Sequence, residues 1–363
     1  MVSPSPAFWH PESFACRRAN LEVRQRVIAA VRGYFIAEGF AEVETPILQT
    51  MPGAEVHLHA FATELKGPRP GEPAQKLYLH TSPELAMKKL LVAGMPKIFQ
   101  FAHVFRNGER SAQHHPEFLM CEWYRSQGSE NGCQVPSDLF AQVMQDCVTL
   151  VRVAAEAAGR KLFDANGMTC DPFGDWETLG VTDAFRRYAD IDLLSTAPDP
   201  EIPDAALLAR EVARIGLRTH ESDSWDDLFF RVMGEKIEPL LGKGRPTLLC
   251  DYPVSMAALA RPKAGDPRVA ERFELYICGI ELANGFHELA DAAEQRRRFE
   301  ADMAQKEKLY GETWPLDEDF LAALAYGLPD SAGPALGLDR LVMLCAGADK
   351  IDDVLWAPVA ETP

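Results

Sequence analysis

The chain of 363 residues carries 37 Lys and Arg against 54 Asp and Glu, so its formal net charge is −17 at pH 7. Its 47% of hydrophobic residues can form a substantial core, which excludes a largely disordered protein. No apolar run approaches the roughly 20 residues that cross a bilayer, and the N-terminus does not resemble a secretory signal, so we expect a cytoplasmic protein without a membrane partner. The acidic surface argues against broad nucleic-acid binding, because it repels a phosphate backbone.

The eight cysteines are scattered along the chain, and none belongs to a C-x-x-C pair. This spacing excludes a zinc ribbon and argues against a disulfide scaffold. We therefore expect free and mostly buried thiols in a reducing compartment.

In chain order, the first predicted elements are a helix, a short strand and a second helix. Residues 17–38 form an amphipathic helix pattern that ends at Gly39, and Phe40–Pro46 reads as a strand. The helix places its Arg and Glu residues on one side and its apolar residues on the other: Leu21, Val27, Ile28, Val31, Phe35 and Ile36. After a loop at Lys66–Gln75 and a strand at Tyr78–His80, Ser82 is placed to cap a helix that has Pro83 at its first position.

The remaining elements predict the fold class. They are two strand-like runs around a polar loop between Lys97 and Ser126, a helix over 137–160, strands at Pro246–Tyr252 and Arg272–Cys278, a charged helix over 291–310 and a strand–turn–helix from Gly333 to Leu344. The stretch 161–225 is mixed and uninformative. Because strands and helices do not alternate as in βαβ units, we predict an α+β fold with an antiparallel sheet flanked by helices. We expect one large catalytic domain over 17–363, preceded by an N-terminal extension of residues 1–16.

The segment from Phe105 to Arg125 is the first that could carry chemistry. If 117–125 is a strand, its period of two places Phe118, Met120, Glu122 and Tyr124 on one face. An aromatic ring, a carboxylate and a phenol on one face can stack a base and hold an ammonium group. For this strand alone, a half-buried strand with incidental polar residues remains an alternative.

The segment 273–288 contains two carboxylates, Glu274 and Glu281, on either side of Gly279. Paired carboxylates suit Mg²⁺, which binds one or two of them together with substrate phosphates. The next polar and aromatic side chains share one face of a regular strand: Asn284, Phe286 and Glu288. The pattern H-E-x-x-H of zinc proteases is absent, so His287 is predicted to be a structural or surface histidine.

A third segment, Gly333–Leu341, combines glycines with Arg340 at the start of a helix. Glycines let the backbone approach a ligand closely, and an arginine offers a cationic fork for phosphate. Neither a P-loop nor a strand-linked G-x-G-x-x-G occurs in the chain.

In this order, the segments resemble the three signature motifs of class II aminoacyl-tRNA synthetases. Gly39–Leu48 is similar to motif 1, Phe105–Tyr124 to motif 2 and Ala335–Leu341 to motif 3. Within this class, the chain resembles the lysyl branch in three segments: Ser82-Pro83-Glu84, Glu122-Trp-Tyr124 and Glu281–Glu288. Motif 1 begins near residue 39, which leaves no room for the anticodon-binding barrel of lysyl-tRNA synthetases. Over roughly 20–356, the chain therefore resembles their short paralogues, the elongation factor P–lysine ligases.

The resemblance implies that lysine or (R)-β-lysine is activated by ATP as an aminoacyl-adenylate and transferred to a lysine side chain of elongation factor P. It implies Mg²⁺ with the ATP, and a homodimer, because motif 1 pairs a helix and a strand across a two-fold axis. It argues against tRNA as a partner.

The resemblance also implies roles for individual residues. Arg106 and Arg340 would be catalytic, holding the α-phosphate and the tail phosphates. The ATP site would comprise Arg106, Asn107, Gly108, His115, Phe118, Glu281, Leu282, Gly337 and Arg340. The amino-acid site would comprise Ser82, Pro83, Glu84, Glu122, Tyr124, Asn284, Phe286 and Glu288. Glu274 and Glu281 would hold Mg²⁺.

The chain departs from the family pattern at two places. Family members often have Arg-Asn-Glu where this chain has Arg106-Asn107-Gly108, so Glu109 would have to reach the adenine edge instead. The family's His-Asn-Pro-Glu-Phe is His114-His115-Pro-Glu-Phe here, and either imidazole can donate to a phosphate or ribose oxygen.

Three alternatives remain open at this point. They are a truncated synthetase that charges tRNA, a synthetase that joins free amino acids, and a regulatory paralogue without catalysis. The retained arginines and carboxylate pair argue against the last of these, because a regulator has no need of phosphate-binding groups.

Overall fold

The computed structural model describes residues 8–127 and 138–360. Its α-helices are α1 (Pro11–Ala37), α2 (Glu84–Val92), α3 (Leu139–Ala158), α4 (Val181–Ala189), α5 (Ala205–Arg214), α6 (Trp225–Val232), α7 (Ala292–Tyr310), α8 (Glu318–Gly327) and α9 (Leu338–Ala346). Its strands are β1 (Ala41–Glu42), β2 (Leu48–Gln49), β3 (Ala62–Leu65), β4 (Gln75–Leu79), β5 (Lys97–Phe105), β6 (Glu117–Ser126), β7 (Phe163–Ala165), β8 (Met168–Cys170), β9 (Glu177–Gly180), β10 (Thr247–Pro253), β11 (Pro262–Lys263), β12 (Asp266–Ile277), β13 (Ile280–His287) and β14 (Ser331–Gly337).

One nine-stranded sheet carries the fold. Its order is β1-β5-β6-β14-β13-β12-β10-β9, and β11 pairs with β12 beside this path. The outer pairs β1–β5 and β9–β10 are parallel, whereas the strands between them pair antiparallel. Small sheets of β2-β4-β3 and β7-β8 complete the strands. The predicted α+β fold with an antiparallel sheet and flanking helices is confirmed.

The alternation along β6 explains how the sheet separates its core from its functional face. Leu119, Cys121 and Trp123 point into the main core, where α1, α3 and α9 pack on one another and on the sheet. The residues between them point to the opposite face, as the period of two predicts. The same strand therefore contributes to folding on one side and lines a cavity on the other.

The segment 161–225 contributes to two cores that the sequence pattern does not reveal. Phe163 of β7 and Cys170 of β8 pack into the main core, and β9 pairs with β10. The side chains of α4 and α5 share a second core with α6 and β10. Both helices are amphipathic, but with 9 and 10 residues they are shorter than the window over which a helical period is usually recognised.

The first helix differs from the prediction at both ends. It begins at Pro11, inside the predicted N-terminal extension, because proline suits the first helical position. Val27, Val31 and Phe35 are buried as predicted, whereas Ile36 is 60% exposed. Arg24 is buried rather than solvated, because it pairs with the buried Asp339 of α9.

Two other predicted boundaries are too wide or shifted. The predicted strand Phe40–Pro46 is a strand only at β1, which pairs with Ile98 and Phe99 of β5. The predicted cap of α2 is one residue early, because Pro83 occupies the cap position. The Ser82 hydroxyl still accepts a hydrogen bond from the Glu84 N–H (3.0 Å).

Within the described residues, no helix combines the length and apolar character that crossing a membrane requires. The cysteines in this part of the chain are free, and all but Cys16 are buried, as predicted. Cys133 lies outside the described residues.

Candidate active site

A cavity of about 390 Å³ lies on the face of the sheet opposite α1, α3 and α9. The predicted site residues that line it are Ser82, Glu84, Arg106, His115, Phe118, Glu122, Tyr124, Glu274, Glu281, Leu282, Asn284, Phe286, Gly337 and Arg340. They come from α2, the β5–β6 hairpin, β12, β13 and the β14–α9 junction, which the sheet order brings together. Pro83, Asn107, Gly108 and Glu288 do not line the cavity.

Arg106 follows β5 and lines the cavity, and one of its guanidinium donors has no partner. Its Cζ lies 5.2 Å from the centre of the Phe118 ring, close enough for a cation–π contact. Its Nη1 is 4.0 Å from a Glu109 carboxylate oxygen, and its buried Nε has no hydrogen-bond partner. A buried unpaired N–H is costly, so this arginine is suited to an anion that enters the cavity.

Arg340, in the first turn of α9, is held on three sides. Its guanidinium donates to the Glu281 carbonyl (2.8 Å), the Gln113 carbonyl (3.3 Å) and Nε2 of His114 (2.8 Å). Because arginine has no acceptor, Nε2 of His114 accepts, and Nδ1 carries the proton toward the Ser111 hydroxyl (2.7 Å). Burial and the charge of Arg340 lower the pKa of His114, which favours this neutral ring.

His115 is occupied by backbone groups rather than turned to a ligand. The Val359 N–H donates to its Nε2 (3.1 Å), so Nδ1–H donates to the Glu117 carbonyl (2.5 Å). The loop that follows Arg106 turns at Gly108, where φ is +82°, and Glu109 rather than Gly108 lines the cavity.

The carboxylate pair lies on neighbouring strands beside Arg340. Glu274 accepts hydrogen bonds from the hydroxyls of Tyr252 (2.5 Å) and Tyr276 (2.6 Å) and from Arg272 (2.7 Å). Glu281 lies opposite Tyr276 in the β12–β13 ladder, and its nearest cationic atom is Nη1 of Arg340 at 3.9 Å. Burial in the cleft and the charge of Glu274 raise the pKa of Glu281 to about 7.

This donor set fits a magnesium ion only in part. The carboxylate of Glu281 is free of hydrogen bonds among the described contacts and is destabilised by Glu274, which a divalent cation would relieve. Glu274 already accepts three hydrogen bonds. Among the described residues, no group of three or more His, Cys, Asp or Glu could hold a metal ion. A magnesium ion here would therefore depend on substrate phosphates, as is usual for this ion.

The end of the cavity that Glu84 and Glu122 line is acidic and almost closed. Glu122 is 1% exposed and accepts hydrogen bonds from Ser82 (2.8 Å) and Tyr124 (2.7 Å). Burial and the charge of Glu84 raise the pKa of Glu122, which favours the neutral carboxyl group in the empty pocket. The floor of this end is close-packed, because a Cβ at Gly333 would collide with the Tyr124 ring.

Two buried charges stand behind this end of the cavity. Nζ of Lys88 lies 2.5 Å from a carboxylate oxygen of Glu84 and 2.5 Å from one of Glu288. Burial alone would lower the pKa of Lys88, but the charges of Glu288 and Glu84 raise it above its ordinary value. Burial raises the pKa of Glu288, and the Lys88 ammonium opposes this rise.

Several residues of the site were not predicted from the sequence. Arg272 donates to Glu274 (2.7 Å) and Asn284 (3.2 Å), and so orders the polar face of β12 and β13. Lys88 has one visible signal, since it is a charged residue one turn after Glu84 on helix α2. Arg272 has none, because only the pairing of β12 with β13 brings it beside Asn284.

His287, predicted to be structural or on the surface, is structural. It is 4% exposed, and its ring nitrogens lie 2.8 Å from carboxylate oxygens of Glu271 and Asp330. Its ring does not line the cavity.

Comparison with known proteins agrees with this geometry. The family model described as tRNA synthetases class II (D, K and N) matches residues 15–361. A protein of Haemophilus influenzae (strain PittGG) named elongation factor P–(R)-beta-lysine ligase is 40% identical over 336 residues, or 93% of this chain and 94% of the relative. Proteins of the same name from Proteus mirabilis (strain HI4320) and Salmonella paratyphi B are 39% identical, over 97% and 96% of this chain and 98% and 97% of their own lengths. The chain belongs to the elongation factor P–(R)-beta-lysine ligases and carries their class II tRNA synthetase domain.

Proposed function

We propose that this protein is an AMP-forming ligase that activates lysine or (R)-β-lysine with ATP and transfers it to a lysine side chain of elongation factor P. The observation that carries the proposal is one cavity with arginines at one end and buried carboxylates at the other. An arginine end suits phosphates, and a carboxylate end suits an amino acid with more than one ammonium group. The relatives named for this reaction support the same assignment. Since the acceptor is a translation factor, the proposed reaction belongs in the cytoplasm.

In the first step, a carboxylate oxygen of the amino acid attacks the α-phosphorus of ATP, and pyrophosphate leaves. Negative charge builds on the α-phosphate oxygens, where the unpaired donor of Arg106 would stabilise it. Arg340, fixed by three contacts, would hold the leaving phosphates. Phe118, already beside Arg106, offers a ring on which adenine can stack.

In the second step, the neutral amine of the acceptor lysine attacks the carbonyl carbon of the adenylate. AMP leaves with its bonding electron pair, an amide forms and the amine loses a proton. No covalent bond to the enzyme is needed, so positioning of the two reactants provides most of the acceleration.

We propose that Glu281 is the principal protein ligand of Mg²⁺, with Glu274 beside it. A magnesium ion supplies neutralisation of the phosphate charge when it is bound. Glu281 suits this role because its carboxylate accepts no hydrogen bond among the described contacts and has only a long contact with Arg340 (3.9 Å), whereas Arg272 and the two tyrosines keep Glu274 in place.

We also propose a homodimer that uses the motif 1 segment but not the apolar face of helix α1. The apolar face of α1 is buried in its own core, so it is unavailable to a second copy. Exposed apolar side chains near β1 and β2 offer a better contact surface: Ile36, Ile47 and Leu48.

The function is tested in two stages. ATP–pyrophosphate exchange is measured with lysine and with (R)-β-lysine, and intact mass spectrometry then follows elongation factor P after incubation with the active isomer. The proposal expects exchange with at least one isomer and a mass gain of one lysyl group on the factor. Absence of exchange with either isomer would refute it.

A further inference from the structure

Three carboxylates meet one ammonium group at the amino-acid end of the cavity. Glu84 and Glu122 line the cavity, whereas Glu288 lies behind its wall and is 4% exposed. Lys88, which is 1% exposed, contacts both Glu84 and Glu288 at 2.5 Å. A third carboxylate this close to the other two would oppose their ionisation unless a cation balanced it.

The formal charges of these four groups suggest which kind of substrate the pocket binds. With every group ionised, three carboxylates and one ammonium give a net charge of −2. An adenylate of lysine or β-lysine has lost its carboxylate charge and presents two ammonium groups at this end. The two cavity-facing carboxylates then match the two ammonium groups, and Lys88 balances Glu288.

The geometry also gives Lys88 a part in aiming Glu84. The two residues lie one helical turn apart on α2, so their contact fixes the Glu84 rotamer from behind. The side chain of Glu84 is 16% exposed, and that exposed part faces the cavity. Lys88 itself does not line the cavity, so it acts on a ligand only through its carboxylate partners.

We infer that Lys88 is a positioning residue, which holds Glu84 in place and sets the charge of this pocket for a substrate with two ammonium groups. The inference rests on the proposed function and adds to it a residue that never contacts the substrate. The titratable groups that face Lys88 and Glu288 are Glu84, Glu122 and Tyr124.

The test compares Lys88→Met with Lys89→Met in ATP–pyrophosphate exchange at several pH values. Lys89 is the matched control, because it lies on the same helix and pairs with Asp317 and Asp319 away from the cavity. For Lys88→Met, we expect KM for the amino acid to rise about tenfold or more at pH 7, with KM for ATP unchanged. The rise should shrink toward pH 8.5, because loss of the cation moves the ionisation of Glu122 to higher pH.

The same KM for the amino acid in Lys88→Met and Lys89→Met would overturn the inference. A rise in this KM that is the same at every pH would also overturn it. Absence of exchange in the wild-type protein would instead refute the proposed function, so the two failures are distinguishable.

A measurement on the wild-type protein covers the case in which Lys88→Met does not fold. Calorimetry of lysine binding at pH 7, in two buffers that differ in ionisation enthalpy, counts the protons released. If Lys88 keeps Glu288 ionised, only Glu122 has a proton to lose, and about one proton is released. Release of two protons would show that Glu288 is protonated beside Lys88, contrary to the inference.

Discussion

Arg106 and Arg340 both line the cavity at the end proposed to bind the nucleotide, but the protein holds them differently. Arg106 keeps a buried donor without a partner, whereas Arg340 uses its guanidinium on two carbonyls and an imidazole. An unpaired donor gains most when charge develops beside it, while a fixed fork mainly provides a binding surface. The two arginines should therefore differ in which kinetic constant they affect.

We expect Arg106→Ala to abolish measurable adenylate formation and Arg340→Ala mainly to raise KM for ATP. Loss of one donor that stabilises a transition state costs roughly 3–4 kcal/mol, a factor of about 10² to 10³ in rate. The measurement is pyrophosphate exchange with varied ATP, and Arg69→Ala is the control because its side chain is 85% exposed. Near wild-type exchange by Arg106→Ala would contradict its assigned role.

Glu122 gives the site a pH dependence. Burial and the charge of Glu84 raise its pKa above the ordinary value of 4.5, which favours the neutral carboxyl group in the empty pocket. Substrate ammonium groups favour the ionised form, and binding should therefore release a proton and tighten as pH rises from 6 to 8. The gain is present above the pKa of the empty pocket and is lost below it.

Calorimetry with lysine at pH 6, 7 and 8 checks this expectation. Glu122→Gln, which has no carboxyl group to titrate, should bind more weakly at pH 8 and release no proton at pH 7. Unchanged proton release in Glu122→Gln would assign the titration to another group.

At the scale of elements, helix α9 joins the sheet to α1 through one buried carboxylate. Asp339 is 1% exposed, pairs with Arg24 of α1 and accepts the Leu119 N–H of β6 (2.8 Å). It immediately precedes Arg340, so the same contacts that stabilise the fold also fix the start of α9, where Arg340 lies. Stability and site geometry depend here on the same side chain.

We expect Asp339→Ala to lower the free energy of unfolding by about 3–5 kcal/mol, because it leaves the charge of Arg24 buried without a partner. The exposed pair of Arg32 and Glu42 provides the comparison, and Glu42→Ala should cost at most about 1 kcal/mol. Urea unfolding followed by fluorescence measures both. Equal losses of unfolding free energy in Asp339→Ala and Glu42→Ala would contradict a stabilising buried ion pair between Asp339 and Arg24.

The secondary-structure elements also show how much of the structure could be predicted from the sequence. The alternation of β6 correctly separated Glu122 and Tyr124 from the core residues beside them, because a period of two is local information. Arg24 was wrongly placed on the solvated side of α1, because its partner lies more than three hundred residues away. Lys88 and Arg272 were missed because each also contacts a residue that only the folded chain brings close, Glu288 and Asn284 respectively.

At the scale of the whole molecule, the surface charge and the exposed apolar residues limit how partners can bind. The net charge of −17 disfavours a long phosphate backbone, whereas a folded protein could present one lysine at the mouth of the cavity. The exposed Ile36, Ile47 and Leu48 lie in and next to the motif 1 segment. A second copy could cover them without closing the cavity.

We expect light scattering at micromolar concentration to report twice the chain mass of 40.2 kDa. Leu48→Asp should shift the protein toward the monomer, because it places a charge in the proposed contact. Leu162→Asp is the control, since Leu162 is equally exposed but lies elsewhere on the molecule. A wild-type monomer, or a dimer that Leu48→Asp leaves intact, would contradict the proposed surface.

The most direct test of the proposed function offers both acceptors to one activated substrate. Radiolabelled lysine or (R)-β-lysine is incubated with the protein, ATP, elongation factor P and tRNA at near-physiological salt. We expect label on a lysine of elongation factor P as an amide that survives mild alkali. Few phosphate contacts are available to tRNA on an acidic surface, so its binding should be weak at this salt. Label on tRNA with none on elongation factor P would contradict the account.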